Sequence, residues 1–208
     1  MTIIDNYLTI AKTSEGFYKE KGSKFMSFAL PCNNEVDAKS IINDLRKRNP
    51  NACHVCFAWR FGEHPNQYKD RFSDDGEPSN SAGKPIHGQI ISFNLTNILI
   101  AVVRIYGGTN LGVGGLMTAY KTASKAALDI AKIEEKYILD SLEIIFPYNE
   151  MGAVMNLLKR NDVNDIRTGY EGESGKLNIK VKKSKTQNLI DETKLIHTIT
   201  IKKITDTK

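Results

Sequence analysis

A chain of 208 residues fits one large domain or two small ones, and 40% hydrophobic with 25% charged residues supplies a core and excludes a disordered chain. The formal charge of +5 leans mildly towards anionic partners and excludes the dense basic stripe of a dedicated DNA binder. Met1–Asn6 lacks the basic-then-apolar order of a signal peptide, and runs such as Ile98–Val103 fall short of the about 20 residues that cross a bilayer. The odd set Cys32, Cys53 and Cys56 makes no disulfide framework, so a cytoplasmic protein with no membrane partner is expected.

The first 31 residues read as a β-hairpin. Leu8, Ile10 and Phe17 alternate with polar residues, Glu20-Lys21-Gly22 supplies a turn, and Lys24–Pro31 is the second strand. Asn34 caps a helix beginning at Glu35, in which Ala38, Ile41, Ile42 and Leu45 share a face and which ends before Pro50. Cys53–Phe61 reads as a strand, and residues 71–85 as a loop followed by a short helix to about Phe93. Asn97–Tyr106 is almost continuously apolar, the mark of a strand buried on both faces. A long helix then runs to near Ala131, with Leu116, Tyr120, Ala123, Ala127 and Ile130 on one face.

The charged stretch Lys132–Lys136 marks a boundary, giving two units over 1–133 and 137–208. In the second, Tyr137–Phe146 reads as a strand and Asn149 as the cap of a helix carrying Met151, Val154, Leu157 and Leu158. Val163–Tyr170 and Leu177–Val181 form strands around Gly172 and Gly175, with a helix from Gln187 and a last strand over Ile196–Ile204. That β-α-β-β-α-β order is the ferredoxin-like motif, and the fold class expected for the whole chain is α+β.

The chemistry-bearing residues gather in the first unit. Asp74, Asp75 and Glu77 place carboxylates within one short loop, where their repulsion must be offset by a metal, by basic partners or by solvent. They could hold Mg²⁺, could be a salt-bridged turn in which Asp74 bonds backbone N–H groups while Arg71 and Lys84 neutralise the rest, or could be an exposed recognition loop. The spacing fails the EF-hand pattern and Pro78 follows at once, so no metal is assigned.

Gly107 and Gly108, then Gly112, Gly114 and Gly115, precede the long helix, where free N–H groups and close backbone approach suit an anion. The run is neither a Walker A loop nor a dinucleotide fingerprint, and its glycines could equally serve tight helix–sheet packing. Arg104 ends an apolar strand, where a lone guanidinium is costly; a carboxylate partner from the acidic loop is expected. Cys53 and Cys56 point to opposite faces of a strand and read as core residues, and no nucleophile is identifiable. Lys180, Lys182, Lys183, Lys185, Lys202 and Lys203 make the second unit basic, which suits either phosphate contacts or a guarded sheet edge.

Several of these segments together resemble the IMPACT family, in its bacterial YigZ branch. They are Lys21-Gly22-Ser23-Lys24-Phe25, the stretch His54–Arg60, Asp74-Asp75-Gly76-Glu77-Pro78 with Ser81–Pro85, and Arg104–Gly108 continuing through Leu111–Leu116. Ile105 stands where an aromatic residue is usual and Ser81 where threonine is usual; both preserve size and polarity closely. The resemblance implies a first domain like domain 2 of ribosomal protein S5 and a second like the last domain of elongation factor G. Relatives of both folds work on RNA or the ribosome, and eukaryotic members modulate translation by competing for an activator of a stress kinase, a kinase pathway that bacteria lack, so the resemblance does not carry over the partner.

The function expected is a non-enzymatic, translation-associated regulator binding RNA, the ribosome or a translation factor, with no cofactor. Arg71, Lys84 and Arg104 would contact phosphate or an acidic partner, while Asp74, Asp75 and Glu77 orient those bases or meet a basic partner. Gly107, Gly108, Gly112, Gly114 and Gly115 would let a partner's backbone come close. The alternative is a Mg²⁺-dependent enzyme acting on a phosphorylated or nucleotide substrate, which requires the three carboxylates to converge on one ion.

Overall fold

The computed structural model describes residues 5–171 and 174–204. The chain is α+β and divides into two compact units, one of Tyr7–Lys136 and one of Tyr137–Lys208 joined by the first residues up to Asn6.

The larger unit is built on an antiparallel sheet of five strands. In chain order these are β2 (Ser14–Glu20), β3 (Ser23–Pro31), β4 (His54–Phe61), β5 (Lys69–Ser73) and β6 (Ile98–Ile105), and across the sheet they run β2-β3-β6-β4-β5. Lys21 and Gly22 both adopt positive φ, 44° and 80°, which is the primed-turn geometry whose twist matches a two-residue hairpin between β2 and β3. The apolar run of β6 is buried because the strand is central and helices cover both faces. Ile98, Ile100 and Val102 pack under α2 (Gly83–Ser92) and α3 (Gly112–Asp129), and Leu99, Ala101 and Val103 pack under α1 (Glu35–Arg48).

Asn34 Oδ1 accepts the Asp37 N–H at 2.9 Å, so α1 begins where the capping residue predicts, and Ala38, Ile42 and Leu45 face the sheet. Along α3, Leu116, Tyr120, Ala123 and Ala127 are buried at helical spacing. Ile130 is not part of that face: the helix stops at Asp129 and Ile130 is 71% exposed.

The smaller unit follows β8 (Leu139–Pro147), α4 (Met151–Arg160), β9 (Asp165–Glu171), β10 (Ser174–Lys182), α5 (Lys183–Lys194) and β11 (Thr200–Lys203), with sheet order β11-β8-β10-β9. Strict alternation along β10 buries Leu177, Ile179 and Val181 against Val154, Leu157, Leu158 and Leu189, and leaves Lys176, Asn178, Lys180 and Lys182 on the other side.

Local readings of the sequence differ from this architecture at several further places, among them Cys53, read as a core residue but exposed ahead of β4. An extra strand, β1 (Asn6–Ile10), precedes the hairpin and pairs with β7 (Ile133–Tyr137), a mostly exposed strand in the charged stretch, while the division between the two units falls at the end of that stretch, at Lys136 and Tyr137. Arg71, Phe72 and Ser73 belong to β5 rather than to the loop, because backbone pairing with β4 holds them extended. Asn149 lies in a 3₁₀ turn (Tyr148–Glu150) and makes no cap. Helix α5 starts at Lys183, ahead of Gln187, and the last strand spans only Thr200–Lys203 of the expected stretch. The turn at Gly172 lies outside the described residues.

Candidate functional site

Each carboxylate of the acidic loop has its own structural partners. Asp74 closes the start of α2 from outside: its Oδ1 accepts the Ala82 and Gly83 N–H groups at 2.9 and 2.8 Å, and its Oδ2 accepts that of Asn80 at 2.8 Å. An anion there satisfies donors that the helix itself leaves unpaired, and it occupies the place an anionic ligand would take. Asp75 accepts the Val55 N–H at 2.7 Å and pairs with Arg46, tying the loop to β4 and α1. Glu77 turns inward, where its Oε1 accepts from Arg104 Nη1 at 2.6 Å and from the Tyr120 hydroxyl at 2.7 Å.

The Arg104–Glu77 pair is the contact expected between the apolar strand and the acidic loop. Both side chains are almost wholly enclosed, at 7% and 3% exposure. The guanidinium carbon also lies 5.5 Å from the Phe25 ring centroid and 5.6 Å from that of Tyr106. The expectation that Arg104 meets an external phosphate is corrected by this burial: its charge is spent on Glu77. Of the three readings of the loop, the salt-bridged turn with Asp74 on backbone N–H groups fits, but not with Arg71 and Lys84 as its cations. Arg71 lies 3.6 Å from Glu35, and the loop's basic partners are Arg46 and Arg104.

Cys56 Sγ lies 3.3 Å from the Tyr120 hydroxyl and 3.0 Å from the Asp74 carbonyl oxygen. Burial pushes the Cys56 thiol well above its ordinary range, and burial followed by the neighbouring Cys56 and Glu77 does the same to Tyr120. Neither group is an activated nucleophile. His54 completes the cluster, with Nδ1 2.7 Å from the Asp75 carbonyl oxygen and Nε2 4.0 Å from Glu77 Oε1. Asp74, Asp75 and Glu77 thus diverge, and among the described residues no three His, Cys, Asp or Glu side chains are placed to hold a metal ion. The Mg²⁺ alternative lacks the convergence it requires.

The glycine run separates into two kinds. A Cβ on Gly107 would lie 1.9 Å from the carbonyl carbon of Gly22, and the Gly107 N–H donates to Ser23 Oγ at 3.1 Å; this glycine exists for contact with the β2–β3 turn. Around Gly108, Gly112 and Gly114 the space within 4 Å of such a Cβ is open, and all three are exposed. Gly115 meets only Leu111 Cβ, at 3.1 Å. Helix α3 begins with no side-chain cap, so its first N–H groups face the surface.

Beside that open start lies a groove between α2 and α3 that sequence reasoning did not find. Its volume is about 780 Å³. Val113, Met117, Lys121 and Lys125 enter it from α3 at intervals of four, and Lys84, Pro85 and Gly88 enter it from α2. Lys125 pairs with Asp129 at 2.7 Å, whereas Lys84 and Lys121 are exposed and have no carboxylate partner among the described residues. The four-residue spacing on α3 was visible as a signal; its pairing with Lys84 needed the tertiary structure.

These features define a class: an α+β chain whose acidic motif is an internal clasp and whose open, basic, glycine-rich surface faces outward on α2 and α3. Residues 21–128 match the sequence profile of the Impact N-terminal domain. The chain is 32% identical over 151 residues to the IMPACT family member YigZ of Escherichia coli strain K12, covering 73% of this chain and 74% of that protein. It is 36% identical over 139 residues to the IMPACT family member in the pol 5′ region of Thermus thermophilus, covering 66% and 72% respectively. A solved crystal structure of a hypothetical protein is similar across 98% of this chain and 100% of its own, at 26% identity and a TM-score of 0.70. This chain belongs to the IMPACT family.

Proposed function

We propose that the protein is a non-enzymatic, translation-associated regulator that works in the cytoplasm by binding RNA, the ribosome or a translation factor through the α2–α3 surface. The observation that carries this reading is the groove with two exposed lysines, Lys84 and Lys121, that have no carboxylate partner among the described residues, beside the exposed glycines Gly108, Gly112 and Gly114. Desolvated contacts to such charges supply affinity, and open glycines admit a partner's backbone. Arg71 lies apart from this surface, beside Glu35 on the α1 side of the sheet, and Asp74, Asp75, Glu77, Arg104 and Gly107 hold the scaffold that presents the groove. We read the larger unit as like domain 2 of ribosomal protein S5 and the smaller as ferredoxin-like, with the boundary near residues 133–137. In the smaller unit Arg167, Lys180, Lys182 and Lys202 share one sheet face and add electrostatic attachment.

The experiment is co-sedimentation of the intact chain with ribosomes, and titration with short RNAs, across a salt series. Saturable binding that weakens with salt, and that loses about 1–3 kcal/mol in the Lys84→Glu/Lys121→Glu variant, is the expected result. Binding untouched by that double change, with the fold intact, removes the surface from the account.

A further inference from the structure

Within the reading of the α2–α3 surface as the docking site, the chemistry of the groove singles out a kind of partner. Its floor is aliphatic: Pro85 from α2, with Val113 and Met117 from α3. Val113 is 52% exposed and Met117 43%, so apolar surface is open to water at this point and gains by being covered. Lys84, Lys121 and Lys125 rim that floor, and none of the residues lining the groove is acidic. No aromatic ring is present on which a base could stack, which is the usual anchor of single-stranded nucleic acid. A phosphate backbone would use the lysines and leave the apolar floor wet. A folded protein segment with one apolar stripe and acidic flanks would use both.

The shape favours a helix as that segment. The groove is the furrow between two packed helices, bounded on one side by the α3 ridge of Val113, Met117, Lys121 and Lys125 at four-residue spacing, and the ridge of a third helix can fit into it. Methionine in the floor tolerates different apolar partners because its unbranched thioether repacks at little cost. We propose that the α2–α3 groove binds an acidic amphipathic helix of a protein partner, its apolar stripe on Pro85, Val113 and Met117 and its carboxylates on Lys84 and Lys121. Aliphatic contacts then supply burial, and the lysines fix orientation and reject basic helices.

The test is a selection from a displayed library of helical peptides on the intact chain, followed by titration of the recovered peptides against the wild type and two variants. The expected peptides carry apolar residues at i, i+3/i+4 and i+7 with Asp or Glu flanking them. Lys84→Glu/Lys121→Glu should weaken them by about tenfold or more and reverse the charge preference in a repeat selection. Met117→Asp should weaken them similarly while leaving the urea midpoint unchanged, since the side chain is exposed. Recovered peptides with no acidic bias, peptides indifferent to both variants, or an empty selection would each overturn the proposal. So would displacement of bound peptide by a poly-uridine oligomer at equal affinity, which would assign the groove to RNA. If ribosome association is lost in the lysine variant while the selection fails, the docking surface stands and the helical occupant falls.

Discussion

Replacing Glu77 by glutamine removes one charge from an enclosed pair while keeping the size of the side chain. Arg104 would remain 6% exposed, between the Phe25 and Tyr106 rings, with no anion in reach of the hydrogen bond it now makes at 2.6 Å. Tyr120, fully buried, would keep an amide oxygen as acceptor. Breaking a buried pair by neutralising one partner costs about 3–5 kcal/mol, and the retained amide places Glu77→Gln near the lower end, at about 3 kcal/mol. Against a total stability of about 5–15 kcal/mol this is a large fraction. Trp59 is the only tryptophan and is 4% exposed in the core under α1, so its fluorescence reports unfolding of the larger unit. With a urea slope of about 2 kcal/mol per molar, the midpoint should fall by about 1.5 M. Changing Arg104 to methionine in the same chain should recover part of that loss, because the uncompensated charge is gone. A midpoint shift below about 0.3 M for Glu77→Gln alone would refute the view that the acidic motif is an internal clasp.

The two kinds of glycine should separate in the same assay. Gly107→Ala forces a Cβ to within 1.9 Å of backbone and should cost more than about 3 kcal/mol, whereas Gly114→Ala meets open space inside a helix and should be neutral or stabilising by about 0.5–1 kcal/mol. Thiol titration of the native chain should find Cys53 reactive, because it is exposed, and Cys32 and Cys56 slow until urea opens the core; rapid native reaction of Cys56 would contradict its burial. Arg60 grips Asp70 through bonds of 2.8 and 2.9 Å and holds its carboxyl below the ordinary 3.8. That stabilisation is present above the unfolded value and is lost as pH falls through the lower folded value. Asp70→Asn should therefore flatten the fall of the thermal midpoint below about pH 4, and an unchanged pH profile would count against the pair.

Much of the larger unit was legible because its signals are local or strongly periodic. Asn34 announced α1, the apolar run at Ile98–Val103 announced a central strand, and Arg104 at its end demanded a carboxylate that Glu77 provides. Strand β7 was hidden because Ile133–Tyr137 is mostly exposed, so nothing apolar marks its pleat. One reading of the loop gave its neutralisation to Arg71 and Lys84 on closeness in sequence; Arg46 was missed because it comes from α1, and only the folded sheet brings it to Asp75. The groove was invisible for the same reason. Lys84 and Met117 lie on different helices, and their shared surface exists only once α2 and α3 pack together.

The most direct test of the account is ribosome co-sedimentation of two variants in parallel, Lys84→Glu/Lys121→Glu and the surface control Lys159→Glu on α4, each checked for an unchanged urea midpoint. The account predicts that the first loses binding by about tenfold or more and that the control binds like the wild type. Equal binding by all three, or equal loss in both variants, would contradict the assignment of function to the α2–α3 surface.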